Sequence, residues 1–165
     1  MERPSRHFRN TCKCRPRSVE PAVREAFAAS VAGERERFDA AVTRIGRSGD
    51  DFVNKALELV LAVDSVALLS IHEGKRPSDR QLQRLAEEFT NQEDEWADID
   101  AATTLTYLTS LADRKSPLEN LPLAEVFFTA FAIGGWLLSA FLPDDGKWAA
   151  FLDEILDQLE SQTPR

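Results

Sequence analysis

The stretch VFFTAFAIGGWLLSAFL, residues 126–142, decides the fold that this sequence predicts. It is the longest run without a charged side chain, and it lies between Glu125 and Pro143. As an α-helix it would be about 25 Å long, short of the roughly 30 Å hydrocarbon core of a bilayer. Its flanks are acidic and lack the basic anchors of a membrane span. The pattern favours a buried helix at the centre of a helical bundle, with a membrane-attached protein as an alternative.

Small side chains within this stretch support the buried-helix interpretation. Gly134 and Gly135 lie in its middle, with Thr129 and Ser139 on either side. Small residues let a neighbouring helix approach closely, in a packed core as well as in membrane helix pairs. We therefore expect a tight helix crossing at this point.

The rest of the chain has apolar residues at the spacings of amphipathic helices, and nowhere the alternation of a strand. We predict one long helix over residues 19–46, weakened at Gly33, and a second helix from Asp50 to about His72. Ser78 and Gln81 have the spacing of a capping box, which predicts the start of a third helix. The prediction is an all-α fold: a single irregular bundle of about six helices over residues 19–161, with a frayed tail at 162–165.

The two signs of charge are unevenly distributed along the chain. Residues 1–19 carry six basic side chains against Glu2, a net charge of +5, which leaves −13 for the remainder of a chain whose total is −8. We predict a flexible basic arm over residues 1–18, because it contains too few apolar side chains to form a core. An acidic domain repels phosphate backbones, so nucleic acid is an expected partner only through the arm.

Two general features suggest where the protein is found. Residues 1–20 contain no apolar stretch of the kind a secretory signal needs, which predicts a cytoplasmic location. The excess of Arg over Lys, 15 to 5, is typical of GC-rich bacterial coding. We therefore expect a cytoplasmic bacterial protein.

Asp64 and His72 are the candidate catalytic residues. Asp64 interrupts the most apolar helix, where a carboxylate is expensive to bury unless it is paired or protonated. The alternative is a structural role, in which Asp64 faces a seam of the bundle or the surface, or forms an ion pair with a basic residue such as Arg44 or Lys55. His72 stands at the end of the same helix, where it is either an acid or base or a C-terminal cap.

Residues 87–100 form the densest acidic run of the chain. Its carboxylates are oxygen ligands of the kind that Mg²⁺ prefers, and Asp64, Glu95 and Asp98 are the candidate metal ligands if the protein is a magnesium-dependent hydrolase. The spacing of a calcium-binding loop is absent, so the preferred interpretation has no metal and no cofactor.

The function predicted from these features is a non-enzymatic helical module, a regulator or neutraliser that binds another protein with a basic surface. Its acidic surface would steer the partner and an apolar groove would provide affinity. A stripe on the last helix, starting at Trp148 and including Leu152, Ile155 and Leu159, offers a homodimer as a further possibility. The candidate partner-binding residues are Glu93, Asp94, Glu95, Trp96, Asp98, Asp100 and Trp148.

Overall fold

The computed structural model describes residues 17–142 and 146–162, and within these ranges the chain forms α-helices and no strand. The helices, with one short 3-10 turn, are α1 (Glu20–Ala32), α2 (Arg35–Gly46), α3 (Asp50–Ile71), α4 (Asp79–Glu93), α5 (Ala101–Ala112), the 3-10 helix (Pro117–Glu119), α6 (Leu123–Ser139) and α7 (Trp148–Ser161). The predicted all-α fold is confirmed. The predicted basic arm lies mostly outside the described residues, as does most of the tail.

The described part of the chain contains seven α-helices rather than about six, because the first predicted helix, over residues 19–46, is divided into α1 and α2. Gly33 adopts a left-handed conformation with φ of 66°, and its N–H and that of Glu34 bond to the carbonyls of Ser30 and Ala29. This pattern ends a helix, and glycine is the residue that accepts it without a steric penalty. Gly33 therefore breaks the helix that it was expected only to weaken.

Helix α6 is the centre of the bundle, as its sequence predicted. Every residue from 129 to 138 is buried, and the helix packs against α1, α3, α5 and α7. In the part of the chain that the structure describes, no helix has both the length and the hydropathy needed to cross a membrane. The apolar stretch is thus used for packing within the protein.

The stripe on α7 also packs within the protein. Leu152 and Ile155 are each 1% exposed, and Trp148 and Leu159 are partly buried against the same core. The stripe thus contacts the chain's own helices, and the homodimer stays a prediction.

The capping box at the start of α4 is present as predicted. The Gln81 N–H donates to the Ser78 hydroxyl at 3.1 Å, and the Ser78 N–H donates to the Gln81 side-chain oxygen at 2.8 Å. We expect Ser78→Ala to lower the free energy of unfolding by about 1 kcal/mol, since it leaves a helix N–H without its acceptor. Urea unfolding measures this, with the exposed Ser70→Ala in α3 as a control that should change it by less than about 0.5 kcal/mol. Equal effects of the two substitutions would contradict the capping role.

Candidate functional site

The acidic loop, which we define as residues 94–100, joins α4 to α5. Between Arg84 and Arg114 the chain has eight acidic residues and no basic one. The carboxylates of Asp94, Glu95 and Asp98 are exposed on this loop. It is therefore a concentrated patch of negative charge at one end of the α4–α5 hairpin.

Trp96 anchors the acidic loop to the core. Its side chain is only 9% exposed, and its ring packs edge-on against Phe38 of α2 with centroids 5.1 Å apart. Its indole N–H donates to the Glu93 carboxylate. Its ring is thus enclosed by this protein's own side chains, and a contact of Trp96 with a partner stays a prediction.

The backbone of the loop is held as well. Arg35 at the start of α2 donates from Nη1 to the Trp96 carbonyl at 2.7 Å, and its guanidinium lies 4.9 Å from the centre of the Phe128 ring. Ala97 is 2% exposed. The loop is thus held by a bond from α2 to its backbone and by two buried side chains, those of Trp96 and Ala97.

The last residue of the acidic loop, Asp100, caps the N-terminus of α5. The Thr103 N–H donates to Asp100 Oδ1 at 2.7 Å, and this bond to the charged form lowers the pKa of Asp100 below its ordinary value. The carboxylate of this candidate partner-binding residue already has a structural role, whereas those of Asp94, Glu95 and Asp98 point to solvent.

Asp64 is fully buried at the junction of four helices. The Tyr107 hydroxyl of α5 donates to Asp64 Oδ2 at 2.5 Å, and no donor among the described residues reaches Oδ1. Burial raises the pKa of Asp64 well above its ordinary value, against the opposing effect of the Tyr107 hydrogen bond. The expected seam position is correct, but the expected ion pair is wrong, since Lys55 pairs with Asp51 and Arg44 is exposed.

Two glycines of α6 make this junction possible. A Cβ on Gly134 would lie 2.2 Å from Asp64 Oδ1 and 2.5 Å from Cε1 of Phe27, and one on Gly135 would lie 2.3 Å from the Ser30 hydroxyl. The Ser30 hydroxyl donates to the Ala132 carbonyl at 3.0 Å, so a hydrogen bond also joins α1 to α6. The tight crossing predicted from the small residues of this stretch is confirmed.

His72 has the position of a helix C-cap. It follows the last residue of α3, and its Nδ1 lies 2.9 Å from the Leu68 carbonyl oxygen. Eight residues along a helix separate it from Asp64, a rise of about 12 Å. The two candidate catalytic residues are therefore not brought together.

The structure also separates the candidate metal ligands. Asp64 is enclosed by α1, α5 and α6, whereas Glu95 and Asp98 are exposed on the acidic loop. Among residues 17–142 and 146–162, no three His, Cys, Asp or Glu side chains are grouped so as to hold a metal ion. Asp64 therefore does not share a site with the two loop carboxylates.

The exposed large apolar side chains do not form one groove. Those in the described ranges are Leu118 and Leu123 near the start of α6, and Phe141 just beyond its other end. The rise from residue 123 to residue 141 is about 27 Å if the helix continued. Trp148, the remaining apolar candidate for partner binding, is half-buried at the start of α7.

Comparisons with protein-family models, with curated proteins and with solved structures found no match to this chain. The functional argument therefore depends on the geometry alone. Sequence reasoning missed Tyr107 as the partner of Asp64 and Arg35 as a tie to the loop. The one available signal for Tyr107 was a lone phenol in an otherwise apolar and hydroxyl-bearing helix.

Proposed function

We propose that this chain is a non-enzymatic helical module that binds a protein partner through its acidic loop, with the partner presenting a basic surface. The observation that supports this proposal is the way in which the loop is held. Three exposed carboxylates, those of Asp94, Glu95 and Asp98, flank a buried tryptophan whose backbone carbonyl accepts from Arg35. If the loop were flexible, its like charges would move apart, because separation lowers their repulsion and improves their hydration. Here the loop is instead held in one position.

The rigid hold favours association for two reasons. Charge at a fixed position steers a basic partner and sets its orientation, which raises the rate of encounter. A loop that is already ordered also loses less conformational freedom on binding than a flexible one. Together these effects let a small acidic loop recognise one basic surface in preference to others.

The effect on the partner follows from the charges that meet. A basic surface covered by these carboxylates is no longer free to bind another anion, so the partner is regulated or neutralised. We propose that this interaction takes place in the cytoplasm.

The test is affinity capture from the native host with a variant whose acidic loop is neutral. We expect Asp94→Asn, Glu95→Gln and Asp98→Asn together to reduce retention of a specific protein about tenfold or more at low salt, because steering and charge pairing are lost. The bound fraction is measured over a series of salt concentrations. The unmodified chain should lose its partner as salt rises, whereas the variant should change little.

A control variant carries the same change in charge elsewhere. Glu58→Gln, Glu119→Gln and Glu154→Gln remove three exposed carboxylates from α3, the 3-10 helix and α7. This variant should retain the partner nearly as well as the unmodified chain. Equal losses from both variants, or no loss from the loop variant, would show that the acidic loop is not the docking surface.

A further inference from the structure

The strongest feature outside the acidic loop is the junction around Asp64. Its carboxyl group lies between Tyr107 of α5 and Gly134 of α6, with Phe27 of α1 beside it. The Asp64 side chain is 0% exposed, and one of its two oxygens has no donor within the described residues. A buried polar atom without a partner is rare in native proteins and calls for an explanation.

We propose that Asp64 is a proton-dependent latch, which holds α6 against α3 while its carboxyl group carries a proton and loosens that contact when the proton is lost. The proton belongs on Oδ1, because Oδ2 already accepts from the Tyr107 hydroxyl. A neutral acid needs no counter-charge, and it fits the small space over Gly134. An ionised carboxylate in this space would be buried without water or a counter-charge, which is energetically costly.

The side chains described around Asp64 offer an ionised carboxylate little stabilisation by charge or by hydrogen bonding. Among the described residues, the titratable side chain that contacts it is that of Tyr107, from α5, whereas α1 presents Phe27 and α6 presents Gly134. In the described ranges no cation pairs with it, and its neighbours on α3, Val63 and Ala67, are buried and apolar. Charged side chains elsewhere on α3, such as Glu58 and Lys55, are exposed.

Oδ1 is buried from solvent, so bulk water does not reach it. A Cβ at Gly134 would lie only 2.2 Å from this oxygen, so the backbone of α6 closes that side of the carboxyl group. Hydration of a carboxylate therefore requires α6 to move away from α3. Because α6 is the central helix of the bundle, the loss of one proton acts on a contact within the core of the fold.

The direction of the pH effect follows from the raised pKa of the buried acid. In the unfolded chain the Asp64 carboxyl titrates near its ordinary value of about 4. Below that pH both states hold the proton, and the contribution of Asp64 to stability is complete. Above it the unfolded state loses the proton while the folded state keeps it, so the ratio of unfolded to folded protein rises about tenfold per pH unit until the folded state also ionises.

The experiment compares the unmodified chain with Asp64→Asn, which keeps the shape of the side chain and cannot ionise. Urea unfolding over a series of rising pH should show the ratio of the two unfolding constants changing in favour of the variant, by about tenfold per pH unit for as long as folded Asp64 keeps its proton. Glu58→Gln, a substitution of an exposed carboxylate on the same helix, should follow the unmodified chain. Parallel pH profiles for the Asp64 variant and the unmodified chain would overturn the proposal.

Two measurements on the folded protein locate the effect. The ¹³Cγ resonance of Asp64 in the unmodified chain should remain that of a protonated acid at pH values at which an ordinary aspartate is ionised, a result that does not require any variant to fold. Amide exchange, corrected for its intrinsic pH dependence, should accelerate in α6 more than in α2 as the pH rises, and only when Asp64 is present. An Asp64 that titrates at the ordinary pH of an aspartate, or exchange in α6 that changes alike in both proteins, would contradict the latch.

Discussion

Gly134→Ala is expected to destabilise the protein by about 3 kcal/mol, the upper part of the usual range for overpacking a core. The added Cβ would lie 2.2 Å from Asp64 Oδ1 and 2.5 Å from Cε1 of Phe27. Both neighbours are 0% exposed, so neither can move into solvent to make room. Urea unfolding followed by circular dichroism measures the change, and for a chain of this size we expect the Tm to fall by about 10 °C.

Gly46→Ala is the matched control for this substitution. Gly46 is the last residue of α2, and a Cβ there would meet nothing within 4 Å. Alanine is the better helix former, so this variant should be up to about 1 kcal/mol more stable than the unmodified chain. The same chemical change thus has opposite signs at the two positions. Similar stability for both variants would contradict the close crossing of α6 over α3.

A compensating pair tests the neighbouring glycine in the same crossing. Gly135→Ala would place a Cβ 2.3 Å from the Ser30 hydroxyl oxygen and 2.6 Å from its Cβ. Ser30→Gly removes both of these atoms, so the double variant should recover more than half of the stability that Gly135→Ala loses. The recovery stays incomplete because a glycine within α1 costs about 1 kcal/mol and the bond from Ser30 to Ala132 is lost.

The local parts of the fold could be predicted because their causes are local. The capping box of Ser78 and Gln81 is a contact between residues three apart. The burial of α6 follows from the apolar side chains of α6 itself. The helix break at Gly33 could not be predicted with the same ease. A single glycine costs a helix only about 1 kcal/mol, and the contact that favours the break, between α2 and Trp96, comes from a distant part of the chain.

The candidate site was predicted less completely, because its contacts join distant residues. Trp96 stands in an acidic run, and its neighbours in sequence predict exposure. Its burial depends on Phe38, two helices earlier. The partner of Asp64 has the same origin, since Tyr107 is 43 residues away and faces Asp64 only once α5 has packed against α3. Spacing along one helix predicts which face is buried, but it does not predict which residue of another helix meets that face.

Trp96→Ala should destabilise the protein by about 3 to 5 kcal/mol, as the loss of a buried tryptophan usually does. The substitution removes the ring that packs against Phe38 and beside the turn at Gly33, and it removes the N–H donor to Glu93. Trp96→Phe keeps an aromatic ring in the pocket and loses the N–H, so we expect a smaller loss. Thermal and urea unfolding of the two variants separate packing from hydrogen bonding.

Trp148→Ala is the matched tryptophan deletion, and it distinguishes the anchor of the loop from a partner contact. Trp148 is half-buried at the start of α7, so its removal should cost less stability than that of Trp96. Under conditions in which both variants are folded, Trp96→Ala should accelerate amide exchange in residues 94–100 and weaken capture of the basic partner, although the Trp96 ring is enclosed by this protein's own side chains. This loss of binding would come from a loop that keeps its charges and loses their fixed positions. Undiminished capture by a Trp96→Ala protein with a mobile loop would mean that charge alone, without the rigid presentation, accounts for recognition.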